Sequence, residues 1–114
     1  MNQKISKIQQ DLESIKHLDG DFEFWSAREL MPLLGYSEWR KFEGVIEKGK
    51  DACKASKQAV LDHFVGADKM VYIVSESQRK VNDFLLTRYA CYLIAQNGDS
   101  RKPEIAFAQT YFAI

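Results

Sequence analysis

The sequence predicts an α+β fold: a mostly helical single domain holding a helix-turn-helix-like pair and a small β-hairpin or sheet. Three observations predict it. Apolar residues recur at helical spacing through much of the chain. Two stretches in the second half, "KMVYIV" and "VNDFLL", are rich in β-branched and aromatic residues. A capping signature, a proline and a glycine divide "WSARELMPLLGYSEWRKF" into two short helices. At 114 residues and 46% hydrophobic, the chain can bury one core without disulfide or metal staples.

Taken in order, Ile5, Ile8, Leu12 and Ile15 step by three, four and three between polar residues, which predicts an amphipathic helix over about residues 1–18. Two heptads are too few for a coiled coil, so its stripe is expected to dock on the domain, with a homodimer through this helix as the alternative. Asp19-Gly20 reads as a turn, and Phe22, Phe24 and Trp25 as one short strand. Ser26 with Glu29 three residues on forms a capping box, so a helix starts at Ala27. Pro32 lacks the donor to continue it far, and Gly35 can end it in the left-handed conformation. A second helix is expected from an N-cap at Ser37 to about Gly49, with Trp39, Phe42, Val45 and Ile46 as its apolar face. A third follows in "DACKASKQAVLDHF", broken or not at Ser56. The two β-rich stretches then make a hairpin with "SESQRK" as a basic tip. The chain closes with a helix from Thr87 that Gly98 can terminate, the loop "GDSRK", and a helix opened by Pro103. Ending on "TYFAI" without cap or turn, it reads as the N-terminal part of a longer protein.

Charge limits what this fold is expected to do. Sixteen basic residues balance sixteen acidic ones, so no global field draws the protein to nucleic acid or anionic lipid, and any DNA contact must come from a local patch. No run approaches the roughly 20 apolar residues of a membrane span, and no signal peptide appears, which points to a cytoplasmic protein. Cys53 and Cys91 stand apart with no histidine at ligand spacing, as buried free thiols do; no metal or cofactor is expected. His17 and His63 neighbour no serine or cysteine that they would activate, and no phosphate-cradling glycine loop is present, so no enzyme is expected.

Basic side chains offer more. Arg40 and Lys41 fall in the first turns of the second helix, where a recognition helix meets base edges. Gln78, Arg79 and Lys80 fall at the hairpin tip, and Arg101 and Lys102 in the loop before the last helix; Arg28 is a weaker candidate. From Arg79 to Lys102, five basic residues (Arg79, Lys80, Arg88, Arg101, Lys102) face two acidic ones (Asp83, Asp99), a surplus of three. That surplus permits a phosphate-binding face, although Glu38, Glu43 and Glu47 offset the second helix. Tyr36, Trp39, Tyr89, Tyr92, Tyr111 and Phe112 lie at helical spacing beside Leu and Ile, which suits core packing better than base stacking.

"WSARELMPLLGYSEWRKF", "DHF" and "LTRYACYLIAQNGDSRKPEIAFAQTYFA", in that order, resemble the N-terminal region of the DNA-damage-inducible protein D family. That family is related to the BRO-N-type domains of viral BRO proteins and phage antirepressors. The similarity spans about Phe24 to Ile114, which makes residues 19–114 the BRO-N-like domain. Ser100 stands where many relatives have Pro and Thr87 where they have Ser, and Thr87 remains a competent N-cap. The resemblance implies a mixed α and β domain, a DNA-binding role, a tie to the bacterial damage (SOS) response and a further C-terminal region. A protein-interaction module regulating a recombinase filament or a repressor, in the manner of an antirepressor, is the second function that it implies.

Overall fold

A computed structural model describes residues 3–72 and 77–114, with side chains from Lys7 onward and excepting Tyr72. The first helix, α1 (Gln3–Ser14), lays its stripe on the domain. Leu12 is fully buried and Ile8 and Ile15 pack against the core, while Ile5 lies outside the described side chains. The Leu12 carbonyl accepts a hydrogen bond from Trp25 Nε1 at 3.0 Å, so the apolar contact is pinned by a buried polar one.

Where one strand is expected after the Asp19-Gly20 turn, a hairpin forms. Gly20 takes φ +64°, which lets β1 (His17–Asp19) fold back on β2 (Phe22–Ser26). All three β1 residues are exposed, so no apolar alternation marked the strand. The capping signature holds: Ser26 accepts from the Glu29 amide at 3.4 Å and α2 (Ala27–Leu33) follows. The Glu29 carboxylate does not close the box and instead meets His17 Nε2 at 2.6 Å. Pro32 sits inside the last turn, and Gly35 at φ +84° turns the chain out of the helix.

Helix α3 (Trp39–Ala55) departs from expectation at both ends. Its N-cap is Glu38, not Ser37, and no side chain caps it. It also runs through Gly49. This glycine is a place of close approach rather than a stop, since a Cβ there would lie 3.2 Å from Ile94 Cγ1 and 3.5 Å from Phe64 Cζ. The stop comes at Lys57, whose φ of 62° breaks the helix, and the expected third helix shrinks to α4 (Val60–His63).

Strands β3 (Phe64–Tyr72) and β4 (Gln78–Leu86) pair antiparallel along their whole length, from Phe64↔Leu86 to Tyr72↔Gln78. The hairpin is therefore longer than its β-rich stretches indicate, because "FVGAD" pairs despite its glycine and charge; Ile73 and Val74 lie outside the described residues. The sheet order is β1-β2-β4-β3, but β2 meets β4 only at Trp25↔Leu86 and Ser26↔Leu85. Beyond that point the hairpin leaves the domain as a two-stranded ribbon.

Thr87 caps α5 (Arg88–Gln96) by accepting from the Ala90 amide at 3.1 Å. The helix ends where expected, with Asn97 as its C-cap and Gly98 directly after it. Gly98 does not take the left-handed conformation and is there for space, because a Cβ would stand 2.9 Å from Ile105 Cδ1. Pro103 opens α6 (Pro103–Phe112) as its spacing predicts. The core lies between the sheet's root and helices α3, α5 and α6, around Trp25, Phe42, Ile46, Phe64, Leu86, Ile94 and Ile105. Cys53 and Cys91 are buried there as free thiols. No helix among the described residues is long and apolar enough to cross a membrane.

Candidate nucleic-acid interface

The helix pair α2–α3 is held from both sides. On one side stands Asp83, 6% exposed, near the ribbon's root. Its carboxylate accepts from Ser26 Oγ at 2.6 Å, from the Arg28 amide at 2.9 Å and from the Phe84 amide at 2.8 Å. One carboxylate thus ties the start of α2 to β4. Arg28 completes the tie: its Nε donates to the Asn82 carbonyl at 2.7 Å, and its guanidinium lies 3.9 Å from the centre of the Trp39 ring. The weaker sequence candidate is therefore a strut between β4 and α3.

On the other side stands the α5–α6 loop. Lys102 Nζ donates to the Gly35 carbonyl at 2.9 Å and sits 4.5 Å over the Tyr36 ring, which in turn packs on Phe42 at 5.3 Å. The loop with Arg101 and Lys102 therefore adjoins the α2–α3 turn and brings two of the three expected basic elements together. The third stands apart. Gln78, Arg79 and Lys80 are not in the turn but are the first residues of β4, paired with Tyr72, Val71 and Met70. Arg79 lies three residues from Asn82, about 10 Å farther along the ribbon at the usual rise.

Whether a cation is available depends on what it already touches. Lys41 pairs with Glu38 at 3.7 Å, Lys80 with Asp68 at 3.6 Å and Arg101 with Asp99 at 3.0 Å. Arg101 holds Asp99 through Nε, Nη2 and its own amide, which keeps that carboxyl below the usual aspartate range. Such exposed pairs are weak and exchange readily with solvent or a phosphate. Arg40 and Arg79 are exposed and have no ion-pair partner among the described residues. The expected surplus between Arg79 and Lys102 is smaller at the surface, because Arg88 is consumed inside. It donates to both Glu23 carboxylate oxygens, at 2.6 and 3.3 Å, and to the Tyr111 carbonyl. These hydrogen bonds hold Glu23 below the ordinary glutamate value.

Lys69, which sequence reasoning passed over as the start of a strand, also has no ion-pair partner among the described residues. It faces Val81 across the ribbon, a placement that only the register reveals. A cleft of about 330 Å³ between α3 and the ribbon is lined by Glu43, Asp68 and Asp83 with Gly66, Asn82 and Phe84, an acidic surface unsuited to phosphate. The histidines serve structure: His17 binds Glu29, and His63 Nδ1 shares a 2.7 Å hydrogen bond with Thr87 Oγ1 against Tyr89. Among the described residues, no group of three or more His, Cys, Asp and Glu is placed to hold a metal. The α1 stripe, the surface that a protein-docking role would most readily use, is spent on the domain's own core from Ile8 to Ile15.

Residues 14–113 match the BRO family, N-terminal domain. Over 111 residues, 96% of this chain, the sequence is 50% identical to DNA damage-inducible protein D of Escherichia coli (strain K12), of which it spans 40%. No solved structure matches. With the family match running from the end of α1 to just past the end of α6, the chain belongs to the BRO family as an N-terminal domain.

Proposed function

We propose that this chain is a non-catalytic DNA-binding domain of a cytoplasmic bacterial DNA-damage-response protein of the SOS-inducible kind. It docks on the phosphate backbone through basic side chains at the start of α3 and on the β3–β4 ribbon. The relative named for DNA-damage induction supports the biological setting. The observation that carries the DNA reading is that Arg40 and Arg79 stand exposed and without ion-pair partners among the described residues. In a chain of no net charge, such free cations are the groups that release counterions from DNA. Lys41, Lys80, Arg101 and Lys102 are secondary contacts, each already turned to an acceptor or carbonyl within the domain. The pair α2–α3 acts as a helix-turn-helix-like support rather than as a sole reader, because Glu43 and Glu47 share α3 with Arg40 and Glu38 stands at its N-cap.

Fluorescence anisotropy of a labelled duplex of about 30 base pairs, titrated at several salt concentrations, tests this. Binding that weakens as a power of salt concentration supports it, with a slope of about 0.9 per phosphate contacted. Saturable binding to no DNA form, even at low salt, sinks it.

A further inference from the structure

The two faces of the ribbon are not equivalent. Side chains alternate across a strand, and directly opposed residues in an antiparallel pair share a face. The register therefore puts Met70, Lys80, Asp68 and Asn82 on the face toward α3, and Lys69, Val71, Arg79 and Val81 on the other. The face toward α3 is already neutralised. Lys80 is paired with Asp68 at 3.6 Å, and the face descends into the cleft that Glu43 and Asp68 line with Gly66, Asn82 and Phe84. On the outer face Lys69 and Arg79 are diagonal neighbours flanked by Val71 and Val81; the other diagonal neighbour of Lys69 is Asp83, whose buried carboxylate is taken up by the Ser26 hydroxyl and the Arg28 and Phe84 amides.

Resting on the proposed DNA-binding role, we infer that the ribbon seats on duplex DNA through this outer face, with Lys69 and Arg79 as the principal phosphate contacts. Lys69 is then a site residue, and Lys80, paired with Asp68 on the face toward α3, stays a secondary contact. A duplex fits better than a single strand. Two paired strands match the width of a major groove, about 12 Å. Single-strand binders need free aromatic faces beside their cations. Among the described side chains Arg28 covers Trp39 and Lys102 covers Tyr36, and the exposed Phe22 lies on the separate β1–β2 hairpin.

The test is a salt-dependent anisotropy titration of the chain with a duplex and, separately, with one of its strands. Compared with wild type, the Lys69→Ala/Arg79→Ala double variant is expected to lose about two units of salt slope and about 30-fold in duplex affinity near 0.15 M salt. Lys80→Ala is expected to change affinity less than about 3-fold, as an already paired surface cation should. Lys69→Arg/Arg79→Lys keeps the charges and is expected to retain wild-type affinity, which separates loss of contact from loss of the ribbon's fold. If Lys80→Ala weakens binding as much as the double variant, or wild type prefers the single strand, the outer-face duplex reading is overturned while DNA binding stands. If wild type binds neither, both readings fall.

Discussion

Asp83→Ala is the substitution whose effect follows most directly from the structure. The carboxylate is buried and accepts three hydrogen bonds, from the Ser26 hydroxyl and the Arg28 and Phe84 amides. Removing it strands three donors, each costing about 1–3 kcal/mol when left unpaired. The site borders the cleft beneath the ribbon, so water can reach part of the gap and the low end applies, about 3 kcal/mol in all. For 114 residues the usual unfolding entropy is about 0.24 kcal/mol/K, so the midpoint should fall by about 12 °C. Asp83→Asn keeps an acceptor for both amides and offers Ser26 a donor, and should cost about 1 kcal/mol, or about 4 °C. Circular dichroism melts at pH 7 read both. A drop under about 3 °C for the alanine variant, or equal drops for the two, refutes the view that this carboxylate pins α2 to β4.

Other outcomes follow from the same contacts. Two glycines of one helix should behave oppositely. Gly44→Ala meets nothing within 4 Å and should raise the midpoint by about 2–4 °C through helix propensity, whereas Gly49→Ala crowds Ile94 and Phe64 and should lower it by a similar amount. Glu23→Gln should cost about 1 kcal/mol at pH 7, discounted for the partly exposed pair with Arg88. Because Arg88 lowers the folded pKa of Glu23, that stability is present above the ordinary glutamate value of 4.5 and is lost as pH falls through the lower folded value. The variant and wild-type melting curves should therefore converge below pH 4.5; a gap undiminished at pH 2 contradicts the assignment. Cys91, fully buried and with its thiol pushed up by desolvation, should resist a thiol reagent in the folded chain and react once it is unfolded.

What could be read from the sequence was local. The Ser26 cap, the Gly35 exit, the Thr87 cap and Pro103 at a helix start each depend on a few neighbouring residues, and each formed as read. Misreadings came where distant packing decides. Gly49 looks like a stop, yet its missing side chain makes room for Ile94 from another helix; Gly98 does follow the end of α5, but without the left-handed conformation, its missing side chain making room for Ile105. β1 has no apolar pattern because its partner β2, not its own burial, makes it a strand. In the candidate site, residue types were legible but availability was not. Glu38–Lys41 and Asp99–Arg101 pair at short sequence spacing and were open to view. Asp68–Lys80 and the Lys69–Arg79 diagonal exist only in the register, and the loss of Arg88 to Glu23 needs β2 beside α5.

Everything functional here rests on unpaired cations holding DNA phosphates, and one comparison addresses that most directly. The salt slope of duplex binding should be measured for wild type and for Arg40→Ala/Arg79→Ala, with unchanged melting curves as the control. The account predicts steep salt dependence for wild type and a slope lower by about one to two units in the variant, as one or two phosphate contacts are lost. Equal slopes and equal affinities for the two proteins would contradict it.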